Sequence, residues 1–173
     1  MQIALLPRIK KDTHDTHLDK TTPTSYRLQR LSGMSLFATL SPRELKIIDG
    51  MLHDRQYLAN EIIFDEGEEG QALYIILSGV VSINRRREHG DEFIANLTEG
   101  NFFGDVALLD NSPRSAQAKA AENCEVAVFF RADFSSLLET NAVIGYKISL
   151  ELARLNSRRL RDSLDDVSRS EAL

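Results

Sequence analysis

From Gln56 to Phe130 the chain breaks into short apolar, β-branched runs divided by turn signals, and this rhythm constrains the fold more than any other feature. The runs are Glu61 to Phe64, Ala72 to Leu77, Val80 to Asn84, Glu92 to Leu97, Ala116 to Ala120 and Glu125 to Phe130. Between them stand Gly67 to Gly70, Ser78-Gly79, His89-Gly90-Asp91 and Glu99-Gly100-Asn101. Many short strands at a spacing of roughly ten residues predict an antiparallel barrel or jelly roll.

On either side the period becomes helical. Ser41 can cap a helix, Pro42 suits its first position because it has no amide hydrogen to leave unpaired, and Glu44 completes a capping box. Leu45, Ile48, Met51 and Leu52 then form one apolar face, ending near His53. After Ala132-Asp133 the helical period returns and runs to about Asp166 through Phe134, Leu137, Leu138, Ile144, Ile148, Leu152, Leu155, Leu160 and Leu164. The expected order is helix, β-roll, helices, in a domain covering residues 31–166. Residues 1–30, polar and rich in Thr, Asp and Lys, read as a mobile tail, and residues 167–173 as a second one. The stretch Tyr26 to Leu36 reads as a short docking helix or a partner contact.

One stretch departs from the strand pattern. Asp105-Val106-Ala107-Leu108-Leu109 follows Gly104 and favours Ala and Leu over β-branched residues, which predicts a helical turn inserted in the sheet. Such a turn aims free amide hydrogens at the space before it and suits an anion. The return through Pro113-Arg114-Ser115-Ala116 adds a guanidinium fork and a hydroxyl. A cyclic phosphodiester needs these groups: a planar fork and backbone amides for its exocyclic oxygens, a carboxylate for its ribose hydroxyl and an apolar wall for its base. Gly104 permits close approach, Asp105 offers the acceptor, the 106 to 108 amides face the phosphate, and Arg114 with Ser115 meets the anion.

Phe103-Gly104-Asp105-Val106-Ala107-Leu108 through Pro113-Arg114-Ser115-Ala116 resembles the phosphate-binding cassette of cyclic nucleotide-binding domains. Glu61 to Glu68 and Leu73 to Val81 are similar to that family's strands and turn glycines. The resemblance covers about residues 34–160 and implies a mainly β fold, an eight-stranded antiparallel β-roll with an N-terminal helix and a long C-terminal lid helix. It implies ligand contacts by Phe103, Gly104, Asp105, Val106, Ala107, Arg114, Ser115 and Ala116. Arg159 and Ser163, on one face of the last helix, resemble lid contacts to phosphate and base. Asp105 stands where most binding members carry Glu, which is one methylene longer.

Cyclic AMP is the expected ligand, with cyclic GMP or a cyclic dinucleotide as alternatives, and no cofactor or metal is expected. A jelly roll can also be a metal-dependent enzyme, but His14, His17, His53 and His89 fall in the tail, a helix end and a turn rather than on inner strands. A silent interaction module of the same fold is the alternative without a ligand. The net charge of −5 offers no general attraction for nucleic acid, and only about ten residues follow Ser163, so no recognition helix is expected. Output then falls to an effector protein or to a homodimer, with Ile148, Leu152 and Leu155 either forming the dimer seam or packing on the roll. Arg85 to Arg87 read as a solvated charge run. The single Cys124, before an apolar run, reads as a buried inert thiol; no membrane span or leader is expected, nor therefore any setting but the cytoplasm.

Overall fold

A computed structural model describes residues 21–88, 90–110 and 112–170. His14, His17 and the first part of the expected tail, His89 in its turn, and residues 171–173 lie outside the described residues.

Four helices and eight strands follow in order: α1 (Thr21–Ser32), α2 (Pro42–Asp49), β1 (His53–Tyr57), β2 (Ile62–Phe64), β3 (Ala72–Ser78), β4 (Val80–Arg87), β5 (Gly90–Thr98), β6 (Phe102–Phe103), β7 (Gln117–Ala120), β8 (Cys124–Phe130), α3 (Arg131–Thr140) and α4 (Ala142–Ser170). The strands form two four-stranded antiparallel sheets, ordered β1-β8-β3-β6 and β2-β7-β4-β5. This is the mainly β roll with flanking helices that the turn rhythm predicts.

Two strands explain why the apolar runs are unbroken rather than alternating. β3 and β8 lie side by side, with Leu73 opposite Phe129 and Ile75 opposite Ala127. These four residues face the helices, packed with Phe37, Ile48, Phe134, Ile148 and Leu152. Their neighbours Ala72, Ile76, Val126 and Val128 face the inside of the roll with Phe64, Val81 and Phe103. Burial on both faces requires apolar residues at every position. Cys124 is buried in the same inner core, where burial pushes its thiol above the usual range. Gly79 joins β3 to β4 at φ 86°, and a Cβ there would lie 2.4 Å from the Asn123 carbonyl oxygen.

The α2 start is capped as expected, Ser41 accepting from the Glu44 amide while the Glu44 carboxylate accepts from Ser41. Glu44 also accepts from Lys147 of α4 at 2.8 Å. That hydrogen bond and the one from the Ser41 amide hold the Glu44 carboxyl down to about 2.

Four expectations change. Residues 21–30 are not a tail: they belong to α1, where Leu31 is buried and Arg27 pairs with Asp49 and Asp54. His53 opens β1, an edge strand whose His-Asp-Arg-Gln-Tyr sequence carries no apolar pattern. Arg85 to Arg87 extend β4 rather than a turn or helix, with Arg86 and Arg87 exposed as a solvated run should be. α4 continues beyond Asp166 through Ser170, and of the two readings of Ile148 and Leu152 the packing on the roll is the one observed, both being fully buried in the domain's own core. Among the described residues, no helix is long and apolar enough to cross a membrane.

Candidate functional site

Gly104 ends β6 in the left-handed region, φ 70° and ψ 20°, and the chain turns directly into a short 3-10 turn over Asp105–Leu108. A Cβ at Gly104 would sit 2.5 Å from Arg114 Nη1, so only glycine leaves room for the guanidinium. Within the turn the Ala107 amide donates to the Gly104 carbonyl at 3.2 Å. That amide therefore closes the turn and does not face outward as the sequence suggests. Ala107 and Leu108 are buried, while Val106 is exposed.

The return strand is clamped to the loop between β2 and β3. The Arg114 amide donates to the Glu68 carbonyl and the Gly67 amide to the Arg114 carbonyl, each at 2.8 Å. The Arg114 side chain runs inward, leaving the residue 8% exposed. Nη2 donates to the Ala72 carbonyl at 2.8 Å and Nη1 to the Gly104 carbonyl at 3.2 Å. Its guanidinium carbon lies 4.1 Å from the centre of the Phe64 ring, a stacked cation–π contact. Phe64 and Tyr74 continue to Phe103, with Tyr74 and Phe103 stacked at 5.2 Å. Burial pulls the Arg114 pKa down and pushes that of the Tyr74 phenol up. Arg114 Nε is buried and has no hydrogen-bond partner among the described residues.

Beside Arg114 lies a cavity of about 420 Å³. Phe64, Tyr74 and Phe130 give it aromatic walls, Ile63 and Ala72 line it further, and Glu68, Glu69 and Gln71 supply polar groups. The acidic turn and the aromatic wall were not assigned from the sequence. The one available signal was the inward phase of Phe64 and Tyr74, because acids next to glycines read as a solvated turn.

Of the residues expected at the site, Phe103, Gly104, Asp105, Ala107, Arg114 and Arg159 are brought together. Asp105 is not a free acceptor: its side chain is 5% exposed, and both carboxylate oxygens accept from Arg159 Nη1, at 3.0 and 2.8 Å. Arg159, half exposed, also lies 5.9 Å from the Phe102 ring centre. Ser163 stays apart; its hydroxyl donates to the Arg159 carbonyl of its own helix at 2.9 Å. Ser115 is exposed, and its carbonyl accepts from Arg85 Nε at 3.3 Å. Ala116 is half-buried next to it.

The sequence profile of the cyclic nucleotide-binding domain matches residues 54–141, a span that includes both sheets and the whole Gly104–Arg114 turn. The chain belongs to the cyclic nucleotide-binding domain family. Within this family it is 36% identical over 146 residues to the cyclic AMP receptor protein of Thermus thermophilus, covering 82% of this chain and 66% of that protein. It is 35% identical over 91 residues to the cAMP-dependent protein kinase regulatory subunit of Mycosarcoma maydis, covering 53% of this chain and 17% of the relative. The solved catabolite activator protein of Thermus thermophilus superimposes with a TM-score of 0.72 at 33% identity, over 79% of this chain and 63% of that one. The cyclic nucleotide-binding domain described here thus spans about two thirds or less of each of these proteins.

Proposed function

We propose that the chain is a cytoplasmic sensor that binds a cyclic nucleotide, cyclic AMP first among them, performs no chemistry on it and signals occupancy through α4. One observation carries this reading: a guanidinium more than nine-tenths buried keeps Nε unpaired beside a cavity of about 420 Å³. A buried donor without a partner is costly, and an anionic oxygen is the acceptor that relieves it best. Small-ligand pockets occupy roughly 300–1,000 Å³, so a mononucleotide is of suitable size. Cyclic AMP is favoured over cyclic GMP or a cyclic dinucleotide because the relatives above are named for it.

A second reading has its own support. The bonds of Arg114 to the Gly104 and Ala72 carbonyls and its stack on Phe64 also describe a structural pin in a silent interaction module. Titration calorimetry with cyclic AMP, cyclic GMP and a cyclic dinucleotide separates the two. The sensor reading expects saturable binding that Arg114→Lys weakens, because an ammonium lacks the planar fork. Heat-silent titrations with every compound leave the silent module.

For the partner we propose a second copy of this chain, lying parallel along the outer face of α4, with an effector protein reading the movement of the pair. Val143, Tyr146, Leu150, Ala153, Ser157 and Leu160 repeat at alternating intervals of three and four, opposite the buried Ile148 and Leu152. Beside this seam stand Lys147, Arg154 and Arg161. A parallel pair sets these side chains against Ser149 and Asn156 and leaves Lys147 and Arg154 with their own carboxylate partners, Glu44 and Glu151. Sedimentation should find a dimer that Tyr146→Glu dissociates; a monomeric wild type rejects the pairing.

A further inference from the structure

Asp105 lines none of the cavity described above, and its carboxylate is committed to Arg159. Two other carboxylates do line it, and they differ. Glu69 is held by Arg131 and by Gln71. Glu68 is exposed at the rim, and its carboxylate has no hydrogen-bond or ion-pair partner among the described residues. Its position is nonetheless fixed, because its carbonyl accepts from the Arg114 amide at 2.8 Å and Pro113 bridges to Glu69 next to it.

The cavity thus presents a buried guanidinium with a spare donor and, tied to the same backbone pair, a carboxylate with spare acceptors. We infer that Glu68, rather than Asp105, receives the free hydroxyl of a ligand whose phosphate lies on Arg114. The charges favour this arrangement. A phosphate is repelled by Glu68 and drawn to Arg114, so the group left for the carboxylate is an uncharged donor, and a ribose hydroxyl is such a donor. The required ligand is therefore an anion with a hydroxyl close to its phosphate. Asp105 is then left to hold α4 through Arg159.

This inference rests on the sensor reading, and one experiment tests both. Cyclic AMP and its 2′-deoxy analogue differ in the free ribose hydroxyl. Each is titrated into the wild-type chain, Glu68→Ala, Glu68→Gln and Asp105→Ala, with melting curves confirming that every variant is folded. The wild type should bind the deoxy compound about tenfold more weakly, the scale of one hydrogen bond to a charged group. Glu68→Ala should bind the two compounds within about twofold of each other, on the same scale. Glu68→Gln, which keeps an acceptor oxygen, should fall between, and Asp105→Ala should keep the full difference. A difference that survives in Glu68→Ala, or that is absent from the wild type, overturns the inference and leaves the sensor reading intact. A folded wild type that takes up neither compound overturns the sensor reading itself.

Discussion

The arginines at either side of the turn over Asp105–Leu108 are held in opposite ways. Arg114 is sunk in the roll, gripped by two carbonyl oxygens and an aromatic face, with Nε left over. Arg159 is half exposed in the second half of α4 and is held by one carboxylate through a single nitrogen. Neutral carbonyls fix a guanidinium without cancelling its charge, so Arg114 stays available to an anion. A carboxylate partner cancels the charge, and the half-exposed Arg159 end of the pair lies close enough to water to exchange. The difference separates a group built to bind from a group built to let go.

The strongest way to break this comparison lies within α4 itself. Leu152, fully buried, anchors the helix to the core, whereas Leu160 is 62% exposed. Leu152→Ala should cost about 2–5 kcal/mol of unfolding free energy and Leu160→Ala less than about 0.5, as measured by denaturant melts. Equal costs would mean that the end of α4 is as fixed as its start. Next, Arg114→Ala should weaken cyclic AMP binding by about a hundredfold, since hydrogen bonds to a charged group contribute about 1.5–3 kcal/mol. Calorimetry that finds unchanged affinity would make Arg114 a pin and nothing more.

Arg159→Ala should change affinity by less than about tenfold, because Arg159 lines none of the cavity beside Arg114 and acts on it only through Asp105. It should instead speed hydrogen exchange in the last turns of α4, and a hundredfold affinity loss would place Arg159 beside Arg114 as a binder. The smallest effect concerns the fixed half of α4. Glu44 is held to about 2 by Lys147 and Ser41, below an unfolded value near 4.3. Its contribution is therefore complete above the unfolded value and fades as pH falls towards the folded one. After discounting for solvent screening it should amount to about 1 kcal/mol or less. Melts of wild type and Glu44→Gln should converge through that acid range; parallel curves would remove the link between α2 and α4.

Where a residue's surroundings come from its own neighbours in sequence, the chain can be read directly. The capped start of α2 and the unbroken β3 and β8 runs are of this kind, as is the spacing from Gly104 to Arg114. β1 is illegible because an edge strand facing solvent needs no apolar period. The start of α1 reads as a tail, and the stretch from Tyr26 only as a helix or a partner contact, because its attachment is an ion pair from Arg27 to Asp49 and Asp54, set far along the sequence. The inner face of α4 stays open between two readings in the sequence because apolar residues occur on both sides of the helix, and only packing shows which side meets the roll. Asp105 looked like a free acceptor because its partner is 54 residues away. Glu68 was missed for the opposite reason: its neighbours are glycines and acids, which mark a turn whether or not a cavity lies behind it.

The space beside Gly104 also carries a rule for comparing this chain with its kin. A methyl group at that position would lie 2.5 Å from Arg114 Nη1, so the two sites cannot vary independently. A homologue with any side chain in place of the glycine must have shifted or surrendered its guanidinium. A glycine at that position is thus the mark of a guanidinium held in this place.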